Sequence, residues 1–324
     1  MARETYTVVS TMKNEGPYII DWVAHYKTLG FDHILVCTND CSDPTVAVLT
    51  RLQDLGLVHH HPTIVRGAGI HRSALRQASA KYNIVKSAKW VFVCDVDEYL
   101  NIKIEDGSAR ALVDASGGNA DVICVPWRIY GSNGVQAFQD QPVTEQFTLA
   151  ELPHCPDLRP KTGKFVKSLY TNQDKFLRMG LHAPVSRPEN LDNEIRVLPG
   201  GKLYTKGGAR TENPPLFDVA QVNHYALRSM ESFLIKRARG RANHSHHVLG
   251  EAYWDKFNLN EIADPTVHRY RKEAQRLASE LKSDPVLGRL HAEAVNWHFR
   301  KAMALRIDPE MDVLRQTILQ PMAA

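Results

Sequence analysis

"KWVFVCDVDEYL", Lys89 to Leu100, decides how the rest of the chain is read. "WVFV" is apolar at every position, as a strand covered on both faces should be. It runs straight into Asp95 and Asp97, with Glu98 next. Ionised carboxylates beside apolar surroundings are costly unless a cation or hydrogen bonds compensate them. Two aspartates one residue apart can share a hard divalent cation, and Mg2+ and Mn2+ suit oxygen ligands and bridge phosphate oxygens. Solvated or capping carboxylates at a strand end are the bland alternative. Phosphatases that form an aspartyl phosphate also place DxD after an apolar strand. They want Thr or Val two residues past the second aspartate, where this chain has Tyr99, and here the strand falls fourth rather than first.

Upstream, strand-like runs alternate with helical patterns. "TYTVVST" (5–11), "HILVCTN" (33–39) and "LVHHHPTIV" (57–65) read as strands. Between them lie "PYIIDWVAHYKTLG" (17–30), opened by Pro17 and closed by Gly30, and "DPTVAVLTRLQDLG" (43–56), ended by Gly56. "HRSALRQASAKYNIVKSA" (71–88) has helical spacing. Repeated β–α units predict an α/β fold with a mostly parallel sheet and right-handed crossovers. Ligands in such sheets sit beyond the carboxyl ends of the strands. Thr11, Asn14 and Glu15 follow the first strand; Asn39, Asp40, Ser42 and Asp43 follow the second. These groups could hold a uracil ring and a ribose, or Ser42 and Asp43 could simply cap the next helix.

Downstream, "DVICVPW" (121–127), "KFVKSLYT" (164–171), "EIRVLP" (194–199) and "QVNHYAL" (221–227) are further strand candidates, and 131–163 reads as loop. "SMESFLIKRARG" (229–240) is a helix with a stop at Gly240, and 251–262, 264–282, 284–306 and 309–320 are helical. The organisation predicted is an α/β domain over 1–245 and a helical extension over 246–324.

Composition bounds the function. The chain has 324 residues, and 40 Lys+Arg against 36 Asp+Glu leave +4, too weak an excess to imply nucleic acid. No apolar run approaches a spanning helix, and no apolar leader opens the sequence. Cys37, Cys41, Cys94, Cys124 and Cys155 form no CxxC pair, and three of them sit in strand-like runs, so buried thiols in a reducing cytoplasm are expected. The triple His59-His60-His61 alternates sides on a strand and does not read as a metal site.

Taken together, "TMKNE" (11–15), "NDCSD" (39–43) and "AKWVFVCDVDEYL" (88–100) stand in the order and approximate spacing of family 2 glycosyltransferases with the GT-A fold. The later segments "PWRIYGSNG" (126–134), "GKFVKSLY" (163–170), "GLHAP" (180–184) and "NHYALRSMESFLIKRARG" (223–240) resemble the bacterial branch akin to family 92. The resemblance covers roughly 5–241. It implies a nucleotide-sugar donor, a UDP-sugar by expectation, and a Mn2+ or Mg2+ ion. Asp97 is then a metal ligand and Asp95 contacts the ribose or the cation through water. Thr11, Asn14, Glu15, Asn39, Asp40 and Arg76 line the nucleoside pocket, with Arg72 competing for the role of Arg76. His224 is a further metal ligand or a buried structural histidine. Lys236 and Arg239, in a run that includes Arg228, Arg237 and Arg241, stabilise charge on the departing diphosphate or form a solvated or membrane-facing basic face. Lys164 is a weaker candidate for that task. Trp127, Gly131 and Ser132 offer an acceptor platform, or Trp127 is core and the glycines only turn the chain. The acceptor implied is a carbohydrate or glycolipid hydroxyl, with peripheral membrane contact an option. The family's "ED" base is missing at the matching place, since the only "ED" is Glu105-Asp106. Glu98, Glu145, His182 and Glu212 remain base candidates without rank, under an inverting mechanism by family expectation. A binding module without turnover is the remaining rival.

Overall fold

The computed structural model describes residues 4–67, 69–153, 165–172, 174–204, 217–240 and 249–319. The first half follows the predicted alternation: β1 (Tyr6–Met12), α1 (Ile19–Thr28), β2 (His33–Thr38), α2 (Thr45–Asp54), β3 (His59–Pro62), α3 (Ile70–Lys81), α4 (Asn83–Lys86) and β4 (Trp90–Val93). Immediately after the aspartates comes β5 (Glu98–Ile102), then α5 (Ala109–Ala115), β6 (Val122–Ile129), α6 (Val143–Gln146), β7 (Leu149–Ala150) and β8 (Val166–Thr171). Short pieces β9 (Phe176–Arg178), β10 (Val185–Ser186) and β11 (Arg196–Val197) precede β12 (Ala220–His224) and α7 (Met230–Ala238). The chain ends in α8 (Glu251–Phe257), β13 (Ile262–Ala263), α9 (Arg271–Lys282), α10 (Pro285–Arg306) and α11 (Pro309–Leu319).

The main sheet runs β3-β2-β1-β4-β8-β6-β12-β5, with β11 also on β6. β3, β2, β1 and β4 are mutually parallel. β8 is antiparallel to both β4 and β6. β12 lies parallel to β6 and antiparallel to β5. Alternation along the strands sends side chains to two cores. Val8 and Phe92 join Trp22, Tyr26 and Phe31 on one face, and Val9 and Val91 join Leu35, Ala74 and Leu75 on the other. Val8, Val9, Val91 and Phe92 are fully buried, each worth roughly 1.5–3 kcal/mol relative to exposure. This is the α/β architecture that the resemblance implied.

Several boundaries differ from the sequence reading. β5 was not anticipated, because it starts one residue past Asp97 and is masked by the chemistry of the motif. The helix expected over 251–262 stops at Phe257, where Asn258 leaves helical geometry and its side-chain oxygen accepts from Ser132. The span 264–282 opens as a 3-10 turn over Thr266–Tyr270 before α9. The loop expected over 131–163 contains α6 and β7. The segment "EIRVLP" contributes only the two residues of β11. Cys37, Cys94 and Cys124 are buried thiols; Cys155 lies outside the described residues. No helix among the described residues is long and apolar enough to cross a membrane.

Candidate active site

The parallel strands β1 to β4 end on one side of the sheet, and a cleft of about 470 Å3 opens there. Its lining follows the strand order. Thr11, Met12 and Lys13 come from the end of β1, Thr38 and Asn39 from β2, and Thr63 from beyond β3. His71 and Ala74 belong to α3, Asp95 and Asp97 follow β4, and Phe165, Trp127 and His224 stand at β8, β6 and β12. Lys236, Arg239, Tyr253, Lys256 and Phe257 complete it from α7 and α8 and their ends.

Sheet pairing explains how distant residues meet. β12 runs antiparallel to β5 with His224 opposite Glu98, so the histidine arrives beside Asp97. The Tyr225 amide donates to the Asp97 carbonyl at 2.8 Å, fixing that approach. His224 Nε2 is then 3.9 Å from Asp97 Oδ1. The β4–β8 register pairs Phe92 with Leu169; two residues further along, Lys167 stands level with Cys94. Its ammonium reaches Asp95 at 3.1 Å and Glu98 at 3.0 Å while fully buried.

The charges are matched in pairs. Lys236 donates to Asp97 at 2.7 Å and to the Ala226 carbonyl at 2.8 Å. Arg228 holds Glu15 at 2.8 Å and lies over the Tyr18 ring at 3.6 Å; Arg239 holds Glu15 at 2.5 Å. Burial opposes ionisation of Asp97, and Lys236, His224 and Arg228 around it together more than offset that cost, so the carboxyl stays well below its ordinary range. Asp95 is likewise lowered, its burial outweighed by Lys167 and His71 together. Glu98 has no exposure, and burial pushes its carboxyl up to about 8 against the pull of Lys167. One lysine thus serves Asp95 first. Burial also pushes His224 down to about 4, leaving a neutral imidazole. Asn14, Asp40 and Arg228 all adopt positive φ, at 53°, 50° and 59°. Such strained backbone persists only where the surroundings hold it.

The donor set fits a divalent cation. Neighbouring ligands of an octahedral ion, each about 2.1 Å from it, lie about 3 Å apart, so Asp97 Oδ1 and His224 Nε2, 3.9 Å apart, would draw together by about 1 Å to share one. His224 Nδ1 is buried without a hydrogen-bond partner among the described residues. Among the described residues no group of three or more His, Cys, Asp or Glu side chains is arranged around a metal position. Protein donors would therefore leave several positions to phosphate oxygens and water, as Mg2+ prefers.

Other sequence candidates are placed less favourably. Asn14 does not line the main cleft: its amide group braces Ser42, at 3.0 Å from the hydroxyl and 2.7 Å from the backbone N–H. Asp40 is exposed and paired with Lys13 at 2.6 Å. Asp43 accepts from the Thr45 and Gly16 amides, the bracing role that was open for this segment. Arg72 and Arg76 are exposed on α3 and absent from the cleft; His71, from the same turn, takes the place facing Asp95 and bonds Thr11 Oγ1 at 2.7 Å. Glu98 is sealed beneath the cleft and cannot reach an acceptor as a base. Glu145 is paired with Arg271 away from the cleft. Gly131 and Ser132 do not line it either, because they pack on Asn258 and Asn260. Trp127 and His182 do line it, with ring centroids 5.1 Å apart. Lys164, Glu212 and Arg241 lie outside the described residues. Sequence reasoning missed Lys167, His71 and the counter-ion role of Arg228. Lys167 had a signal, being a lysine inside the apolar strand "FVKSLY".

Comparison with known proteins follows the same lines. The family model for glycosyltransferase family 92 matches residues 6–239. No curated protein sequence matches the chain. Among solved structures, TarS 1–349 of S. aureus is 16% identical over 97% of this chain and 88% of that one, with a TM-score of 0.36. Its complex with UDP-GlcNAc aligns at 14% identity, the same coverages and a TM-score of 0.39. Glucosyl-3-phosphoglycerate synthase of Mycobacterium tuberculosis, with Mn2+, UDP and glucosyl-3-phosphoglycerate bound, is 18% identical over 53% of this chain and 58% of that one, with a TM-score of 0.30. With its model spanning the sheet, the aspartate pair and α7 alike, this chain belongs to glycosyltransferase family 92 and is a glycosyltransferase.

Proposed function

We propose that this glycosyltransferase moves a sugar from a UDP-sugar to a carbohydrate or glycolipid hydroxyl, with a Mn2+ or Mg2+ ion and with inversion at the anomeric carbon. The observation that carries the reading is Asp97 facing His224 across 3.9 Å, with Lys236 and Arg239 lining the same cleft. The nucleoside end is the β1–β3 end, where Thr11, Asn39 and Thr63 offer hydrogen-bonding groups. Asp97 and His224 would hold the ion, with Asp95 contacting it through water. Such an ion would supply positive charge against the diphosphate.

The chain's own groups do the rest. Lys236 and Arg239 donate toward phosphate oxygens where negative charge grows. Lys167 keeps Asp95 ionised from below. His182 is the base we assign. Its Nδ1 lies 2.9 Å from the Val166 carbonyl, which can only accept, so the hydrogen sits on Nδ1 and the lone pair on Nε2. A single base drawing the proton from an acceptor hydroxyl, with direct attack opposite the departing diphosphate, inverts the centre. UDP release from a panel of UDP-sugars, with Mn2+ and with EDTA, tests the reading. Release that needs the ion and is lost in Asp97→Ala is expected. Release indifferent to both refutes the metal-assisted reading.

A further inference from the structure

Resting on that donor reading, we propose that α8 forms the acceptor wall of the cleft and selects a saccharide ring by its apolar face. The family match ends at residue 239, yet Leu249, Tyr253, Lys256 and Phe257 line the same cleft as Asp97. Tyr253, Lys256 and Phe257 stand at i, i+3 and i+4 of α8, which is one face of a helix, and Leu249 joins them from just before it. Trp254, on another face, packs edge-on against Phe233 of α7, with ring centroids 5.2 Å apart.

The wall is continuous. Tyr253 meets Phe257 at 4.5 Å between centroids, Phe257 meets His224 at 5.6 Å, and His224 meets Trp127 at 4.2 Å. Trp127 then meets Phe165 and His182, each at 5.1 Å. Strand order puts this wall at β8, β6 and β12, on the far side of Asp95 and Asp97 from the β1–β3 end. A nucleoside at the β1–β3 end therefore leaves the aromatic end for the group that accepts the sugar. Pyranose rings carry one face of C–H groups, which aromatic faces and edges accommodate, and hydroxyl rims that need hydrogen-bond partners. The Trp127 indole N–H is buried without one among the described residues, and His182 stands on the same rings.

The wall is also held rigidly from both ends. Arg237 of α7 donates to the Leu249 carbonyl before α8. After α8, Asn258 Oδ1 accepts from the Ser132 amide and hydroxyl, both at 2.9 Å, and Asn260 Oδ1 accepts from the Asn133 amide at 2.8 Å. A Cβ on Gly131 would lie 2.2 Å from Asn260 Oδ1, so only glycine lets this bolt close. Gly131 and Ser132 are thereby positioning residues for α8.

The test uses the full chain saturated with UDP and Mn2+, and a panel of methyl glycosides of gluco, galacto, manno, rhamno and N-acetylglucosamine configuration. Saturation-transfer NMR and titration read which glycoside binds and by which protons. At least one is expected to bind through its C–H face. Its affinity should fall tenfold or more in Tyr253→Ala and in Phe257→Leu, a change that keeps bulk in a buried position, and severalfold in Gly131→Ala. A melting shift given by UDP with Mn2+ should persist in all three, so that a lost glycoside is not a lost donor site. A retained UDP shift with no glycoside bound, or with binding unchanged in both Tyr253→Ala and Phe257→Leu, overturns the acceptor wall and leaves the donor reading standing. Absence of any UDP shift in the wild type overturns both.

Discussion

Replacing Lys236 by Met asks what the Asp97 carboxylate is built to hold. In the structure Asp97 is buried and its Oδ2 accepts from Lys236 at 2.7 Å. Removing one partner of a buried pair costs about 3–5 kcal/mol, because the other charge is stranded. The Lys236 side chain keeps 22% exposure, so water screens part of this, and a loss of about 2 kcal/mol is expected. Unfolding entropy near 2.1 cal/mol/K per residue makes that a fall in Tm of about 3 °C for a chain of this length. The stranded carboxylate should then take a divalent cation more readily than in the wild type, where the ammonium on Oδ2 already neutralises it. If Mn2+ binds the variant tenfold tighter, saturating ion stabilises it by a further ~1.4 kcal/mol relative to the wild type. That corresponds to about 2 °C of extra gain. Differential scanning calorimetry with and without 1 mM-range Mn2+ (roughly the scale at which weak sites fill) and no nucleotide reads both effects. Asp97→Asn in the same background should abolish the extra gain. A Lys236→Met protein that melts lower yet gains no more from Mn2+ than the wild type would refute the placing of the ion at Asp97.

Three further outcomes follow from the same contacts. Lys167→Met strands the Asp95 carboxylate, which keeps 31% exposure, so a water-screened loss of about 2 kcal/mol is expected, read as a shifted urea midpoint; an unchanged midpoint would contradict its role as the counter-ion of Asp95. His25 and His298 are pushed down to about 4 and about 3 by burial, from 6.5. The unfolded chain therefore binds protons first, and stability falls as pH drops from 6.5 toward 4, by roughly 3 kcal/mol for His25 alone; His25→Gln should flatten this limb in pH-dependent denaturation, and an identical limb would count against it. His182→Asn keeps an amide N–H at the place of Nδ1 for the Val166 carbonyl but removes the base. Transfer rate at saturating donor should fall at least 10²-fold with the UDP melting shift kept, and a rate that survives would send the search for the base elsewhere.

Much of the fold was legible because it rests on local signals. The β–α alternation, the Pro and Gly punctuation and the unbroken apolar run before Asp95 need no tertiary knowledge. β5 was hidden because its five residues "EYLNI" continue a motif read for chemistry, and a strand that short carries little periodicity. The candidate site divides in the same way. Asp95 and Asp97 were named from types and order and His224 from the family resemblance, whereas Lys167 was passed over for its neighbour Lys164. Arg76 was favoured as an arginine at roughly the right distance, but helical phase turns it to solvent and brings His71 in. Gly131 and Ser132 were chosen for smallness near a tryptophan, and that smallness serves a contact with Asn260 more than a hundred residues away.

The amino-acid sequence by itself determined the α/β class, the carboxylate pair at a strand end and the basic helix after His224, because strand pattern, strand ends and helix caps are properties of a few adjacent residues. Tertiary structure alone decided which cation each carboxylate holds, that His224 meets Asp97, and that α8 closes the aromatic end of the cleft. Those facts depend on the β5–β12 and β4–β8 registers and on how the last helices pack, and pairing between segments so far apart leaves no period in the sequence to read.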